Sequence, residues 1–240
     1  MRLITYIILL TIIFGCKKPS ERSCWKSNGE VSYINKVITT TNKITVLDNL
    51  NLILINDSLN EIIIEGPKNL IKLIELDKKN HQITIKNNNR CNFLRKNMDI
   101  NIHYHYKQLD SLILKGYGNV SNNGEMNHSI FINAKDALCS INLKLNNDSN
   151  KIIIQNGSTD INLSGHCSYF YFYNEGFGPL KAFELEAKKT HIHSNSISNS
   201  EINVTEQLNA EIRNNGNIYY KGNPTIIQTT NSGNGRLIPQ

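Results

Sequence analysis

Beginning near Lys43, the chain carries its apolar residues in short runs divided by turn-forming residues. Residues 43–47, 52–55, 61–65, 82–85 and 98–104 are such runs, with Asp48-Asn49, Asn56-Asp57, Gly66-Pro67 and Asn87-Asn88-Asn89 between them. Alternation with period two sends successive side chains to opposite faces of a strand. The runs are rich in isoleucine, whose branched Cβ suits a pleated surface. The dividers are rich in asparagine, which tolerates left-handed backbone and bonds nearby amides. Together these predict an all-β chain. The unbroken Ile62-Ile63-Ile64 predicts a strand buried on both faces. Only residues 69–76 carry a spacing that suits a helical turn.

From Gly116 onward the pattern repeats. A small or polar turn leads into one apolar residue at Val120, Ile141, Ile161, Leu180, Ile218 and Leu237, at intervals of 21, 20, 19, 38 and 19 residues. The interval of 38 spans two periods, with a degenerate unit at residues 196–202. Such a period in an all-β chain predicts a right-handed parallel β-helix, a solenoid with coils of about 20 residues. One coil cannot bury its own apolar face, so neighbours must stack into a continuous core. Short strands at regular spacing are also the pattern of a β-sandwich. The reading divides the chain into a leader over 1–15, a tether and N-terminal segment over 16–42, and a β-domain over 43–240. Within that domain, residues 43–110 form a first half that continues or caps the repeat-bearing residues 111–240.

The first residues bear on the compartment. Met1-Arg2 supplies a positive end, and residues 3–14 form an apolar run ending at Ile13-Phe14-Gly15-Cys16. A run of about a dozen apolar residues is the length of a signal-peptide core and short of the roughly 20 needed to span a bilayer. The closing four residues resemble the bacterial lipobox, in which a small residue precedes the cysteine that becomes lipidated. Cys16 is therefore the expected lipidation site, palmitate included, and the polar Lys17-Lys18-Pro19-Ser20 follows as a tether. Export to an oxidising compartment permits disulfides among the other four cysteines, Cys24, Cys91, Cys139 and Cys167. Four cysteines allow three connectivities, and no C-x-x-C pair suggests zinc or redox chemistry.

The 240 residues are 39% hydrophobic and 19% charged, which is enough for a real core in one or two domains. The net charge of +6 is spread along the chain. Without a basic stripe interleaved with aromatics, nucleic acid is not an expected partner. A mildly basic surface fits loose attraction to anionic lipid or polysaccharide.

Several stretches resemble one family, the auto-transporter adhesin head-domain proteins of bacterial envelopes, or head GIN domain. They are Ile44-Thr45-Val46 with Leu52-Ile53-Leu54, Glu61-Ile62-Ile63-Ile64-Glu65-Gly66 with Asn69-Leu70-Ile71, and Asn217-Ile218-Tyr219-Tyr220-Lys221-Gly222-Asn223-Pro224. Cys24-Trp25-Lys26-Ser27-Asn28-Gly29 and Asn89-Arg90-Cys91-Asn92-Phe93-Leu94-Arg95 look like the cysteine segments of such proteins. The resemblance implies a β-helical fold, an envelope or surface location, and adhesion. It also implies pairing of Cys24 with Cys91. Cys139 and Cys167 are about 28 residues apart, not one clean period, and are expected as small buried hydrophobes. It carries over no catalytic residue.

The candidate chemistry is thin. His103 and His105 flank Tyr104, and His191 and His193 flank Ile192, so each pair shares one face of a strand. Such pairs can chelate a metal. No carboxylate sits beside the first in sequence, and only Glu184 and Glu186 precede the second, so solvated strand histidines are expected and no metal. Glu184 and Glu186 share a face as well, but glycoside cleavage needs acid and base groups set across the bond; two exposed solubilising charges are expected. Gly116-x-Gly118 and Gly176-x-Gly178 lack the following helix that would bind a nucleotide phosphate. No nucleophile elbow is present. Tyr169, Tyr171 and Tyr173 alternate with Phe170 and Phe172, so the phenylalanines should enter the core and the tyrosines form a face. That face is expected first as a cross-strand aromatic ladder that stabilises the sheet, and alternatively as a surface that stacks on sugar rings or a partner.

The expected function is therefore a lipid-anchored protein of the outer membrane and cell envelope. It acts as a non-enzymatic, adhesin-like or polymer-binding module, without cofactors. Its partners are the membrane through the lipid, and an extracellular polysaccharide or surface protein. A polysaccharide-acting enzyme on a β-solenoid and a purely structural envelope lipoprotein are the alternatives.

Overall fold

The structure, a computed structural model, describes residues 27–90 and 99–240. The leader, Cys16 and the Cys24–Cys91 pair lie outside the described residues.

Each strand-forming run expected from the sequence holds a strand, the run 98–104 from Asn101 onward, and two more strands join them. In chain order they are β1 (Val31–Val37), β2 (Lys43–Asn49), β3 (Asn51–Asn56), β4 (Glu61–Pro67), β5 (Ile74–Lys79), β6 (Gln82–Asn87) and β7 (Asn101–Tyr106). Then come β8 (Ser111–Asn123), β9 (Ile130–Asn174), β10 (Leu180–Ser194), β11 (Ser200–Ile212), β12 (Ile218–Lys221), β13 (Ile226–Asn231) and β14 (Leu237–Pro239). The helical spacing after Pro67 yields one short helix, α1 (Lys68–Ile71), which buries Leu70 and Ile71 before the chain extends again into β5. Ile62 and Ile64 are fully buried, but Ile63 is only half-buried, so β4 has one core face rather than two. Its outer face meets water because Ile63 lies between Asn35 and His103 of the flanking strands.

Among the described residues all 14 strands belong to one open sheet. Its two ends differ. In the first half, β2 and β3 pair in parallel with β6, β7 and β8, while β4 pairs antiparallel with β1 and β7, and β5 antiparallel with β6. From β8 onward every pairing is parallel, and each stretch lies on the one before it at a near-constant sequence offset. Ser111 faces Phe131, Leu180 faces Ser200 and Ile218 faces Leu237.

The repeating apolar residues are brought into register by this offset. Val120 faces Ile141, Ile161 faces Leu180, and Ile218 faces Leu237. The gap in the repeat is filled by Ser200, which pairs with Leu180 on one side and Ile218 on the other. The buried side chains form one continuous cluster running from Ile44 to Ile218. The corners are where the backbone must turn at close quarters. Asp136 and Asn156, both at positive φ, occupy one corner of successive passes, and Asn156 Nδ2 donates to Asp136 Oδ1 at 3.0 Å. Gly157 follows at φ 72°, and a Cβ there would overlap the Ala137 carbonyl below it. Only glycine fits both demands.

Candidate functional site

The end of β9, with β10 and β11, sets the candidate face. Phe170 and Phe172 turn inward, 1% and 0% exposed, and their rings stack 6.1 Å apart. The opposite parity therefore faces outward: Tyr169 is exposed, and Tyr171 and Tyr173 are half-buried. The parallel register places Lys189, His191 and His193 beside these three tyrosines, and Gln207, Asn209 and Glu211 beside those. Lys151 Nζ reaches over the Tyr171 ring at 5.0 Å and toward Phe131 at 5.8 Å. One outer strip thus runs from Phe131 through Lys151, Tyr171 and His191 to Asn209.

Within the strip the aromatic and charged groups touch. The Tyr171 ring meets His191 edge-on at 5.5 Å, and the two imidazoles stack at 4.4 Å and 29°. His193 Nδ1 lies 2.9 Å from Glu211 Oε2, and Arg213 Nη2 donates to that same oxygen at 2.8 Å. Burial, then the neighbouring His193 charge, lower the His191 pKa, with Glu211 opposing weakly. Burial works against ionisation of Glu211, but the His193 and Arg213 charges outweigh it and hold its carboxyl below the usual range. Burial raises the Tyr173 phenol, helped by Glu175, whose carboxylate accepts its hydrogen bond at 3.2 Å.

The first histidine pair is built differently. His103 Nε2 sits 2.8 Å from Glu65 Oε2, and His105 Nδ1 sits 2.7 Å from Asp57 Oδ2. Each ring has its own carboxylate, delivered by the neighbouring β4 strand or by the turn after β3, so neither is a freely solvated strand histidine. Sequence order hides both partners, as it hides Glu211 from His193. Glu184 and Glu186 both point outward, with Leu185 buried between them. Glu186 lies 4.0 Å from His166 on the exposed surface.

Cys167 is buried and Cys139 half-buried, and both are free thiols. Burial pushes the Cys167 thiol up to about 11, so it behaves as a small hydrophobe. Cys139 Sγ lies 3.6 Å from Thr159 Oγ1 of the next pass. A separate side of the ladder carries an open groove of about 590 Å³ lined by Asn142, Asn162, Lys181, Phe183 and Glu201 among others. The missed contributors to the tyrosine face are Lys151, Glu211 and Arg213. The 20-residue period, carried from the core positions to the outward ones, could have found Lys151 one period before Tyr171, but Glu211 is paired with His193 at an offset of 18 and escapes it.

Residues 41–224 match the family described as "Putative auto-transporter adhesin, head GIN domain". Among solved structures the chain is similar to a putative adhesin from Bacteroides fragilis, with a TM-score of 0.79 and 22% identity, covering 88% of this chain and 97% of that one. It is also similar to a putative adhesin from Parabacteroides merdae (TM-score 0.64, 19% identity, 89% and 97% covered). A putative lipid binding protein from Parabacteroides distasonis shares the fold as well (TM-score 0.61, 19% identity, 88% and 98% covered). At these identities the likeness shows a common fold. No curated protein matches the chain significantly.

Proposed function

The chain belongs to the putative auto-transporter adhesin, head GIN domain family, and from that premise we propose that it is a lipid-anchored envelope protein whose outer face binds an extended polymer or surface protein without cleaving it. The family name is that of bacterial cell-surface or envelope proteins. The parallel ladder is read as a right-handed β-helix, because strand–crossover–parallel strand connections are right-handed in about 98% of cases. Anchoring is read from Cys16 at the end of the apolar run. Changing Cys16 to Ser is expected to move the protein out of the membrane fraction. A variant that stays membrane-bound at unaltered mass would contradict the anchor.

The observation that carries the binding reading is the outward row Tyr169, Tyr171 and Tyr173, framed by Lys151, Lys189 and His191 in register. Side chains on neighbouring strands recur about every 4.8 Å, so such a row offers repeated ring faces and donors to a polymer laid along it. Glu184 and Glu186 are both exposed on β10, whereas glycoside cleavage needs two carboxyl groups set on either side of the scissile bond. The test is a glycan and matrix-protein array probed with the soluble chain from Lys17 onward. Saturable binding that falls ~10-fold or more when all three tyrosines become alanine is expected, from about 0.5–1.5 kcal/mol per aromatic contact. Shortening of the bound polymer would favour the enzyme reading. Silence across the array would favour a structural role.

A further inference from the structure

β10 and β11 bring three metal-ligating side chains to one point on the outer face. Donor atoms of His191, His193 and Glu211 all lie within 4.8 Å of one another, and all three residues are half-buried. We propose that these three side chains form a binding site for a divalent transition metal, zinc(II) first among them. The proposal does not depend on polymer binding by the tyrosine row.

The chemistry and the geometry agree. Imidazole nitrogens and a carboxylate suit zinc, and three protein ligands with a position left to water is a common zinc arrangement. Bonds of about 2.0–2.2 Å in a tetrahedron set neighbouring ligand atoms roughly 3.3 Å apart. His193 Nδ1 and Glu211 Oε2 are 2.9 Å apart, so small side-chain rotations open the space for an ion. His191 and His193 share a face because Ile192 between them is fully buried, and Glu211 is the register partner of His193. The two rings are already stacked at 4.4 Å.

Arg213 is the group that opposes the metal, since its guanidinium bonds the same Glu211 oxygen. The other half of the molecule supplies the control. His103 and His105 are also two residues apart on one strand, but each is bound to a different carboxylate.

The test is calorimetric titration of zinc(II) into the full chain, purified in detergent, near pH 7.5 and again near pH 5. One saturable site is expected at the higher pH, weakened at the lower as the imidazoles take up protons. His191→Ala and His193→Ala are each expected to lose at least about 10-fold in affinity, the range that disturbing even outer groups of a metal site costs. The double variant His103→Ala, His105→Ala is expected to bind zinc as the unaltered chain does. Arg213→Gln keeps every proposed ligand and is expected to tighten binding. Cobalt(II) in place of zinc should give a visible spectrum that His193→Ala alters. Circular dichroism of each variant checks that the fold is kept. No saturable binding, unchanged affinity in both histidine variants, or equal loss in the His103, His105 variant would overturn the site.

Discussion

The two halves of the sheet use the same strand chemistry to different ends. In residues 31–106, antiparallel and parallel pairings mix, and each histidine of β7 meets a carboxylate of its own. In residues 111–240 every pairing is parallel, and the histidines of β10 converge on one carboxylate, with a row of tyrosines beside them. Constant register turns sequence spacing into columns of neighbours, whereas mixed pairing makes each contact a separate event. A surface built to repeat itself belongs to the second kind of architecture.

The largest effect should come from the core under the tyrosine row. Phe172 is fully buried and stacked on Phe170. Phe172→Ala is expected to cost about 3–5 kcal/mol, read as a shift in the urea midpoint. If the loss is near zero, the inward and outward parities of β9 have been exchanged.

The corners give the next effect. Gly157 combines a φ of 72° with a Cβ position that the Ala137 backbone fills, while Gly124 has φ 85° and open space around it. Gly124→Ala should cost about 1 kcal/mol and Gly157→Ala about 1–3 kcal/mol or more, since strain there adds to overlap. Equal costs in thermal melts would mean that the stacked passes are not in close contact at that corner.

How much of this was legible in the sequence follows the same division. The column Val120, Ile141, Ile161, Leu180, Ile218, Leu237 could be read because each member follows a turn and faces the core. Even the break at Ser200 could be placed. The partnership of His193 with Glu211 could not, because register shifts between Ala182 and Glu186, and between Ala187 and Lys189, change the offset to the next strand. In the first half β1 escaped notice. Val31, Tyr33 and Val37 are exposed at 66%, 63% and 86%, so no alternating core pattern marks the strand. β5 was masked by the spacing of Leu70, Ile71, Leu73 and Ile74, of which only the first two enter the helix. Asp57 and Glu65 lie far from His105 and His103 in sequence; Glu65 is joined by antiparallel pairing of β4 with β7 and Asp57 by parallel pairing of β3 with β7, and no repeat in this half marks either register.

Acid should separate the halves more gently. The His191 pKa is lowered in the folded chain from 6.5, so the unfolded chain binds more protons as pH falls. That contribution is intact above about pH 6.5 and is lost as pH drops below it toward the folded value. Glu65 is lowered from 4.5, chiefly by the hydrogen bond from His103, then by Asn101. Its contribution is present above the unfolded value and is lost only as pH falls through the folded one. His191→Gln should therefore flatten stability between about pH 7 and 5, and Glu65→Gln only below about 4.5. Denaturation midpoints measured across that range check both. The reverse assignment would break the comparison.

The most direct measurement addresses the register itself. Asn209 and Gln228 are partners on β11 and β13, in the column that continues from His191. Neighbouring strands hold Cα atoms at a separation a disulfide can bridge, roughly 4.4–6.8 Å. Asn209→Cys with Gln228→Cys should cross-link on mild oxidation, seen as one joined peptide after proteolysis. Asn209→Cys with Ile227→Cys should not, because Ile227 pairs with the inward Leu208 and points to the other side. Cross-linking of the second pair in preference to the first would contradict the parallel columns on which this account stands.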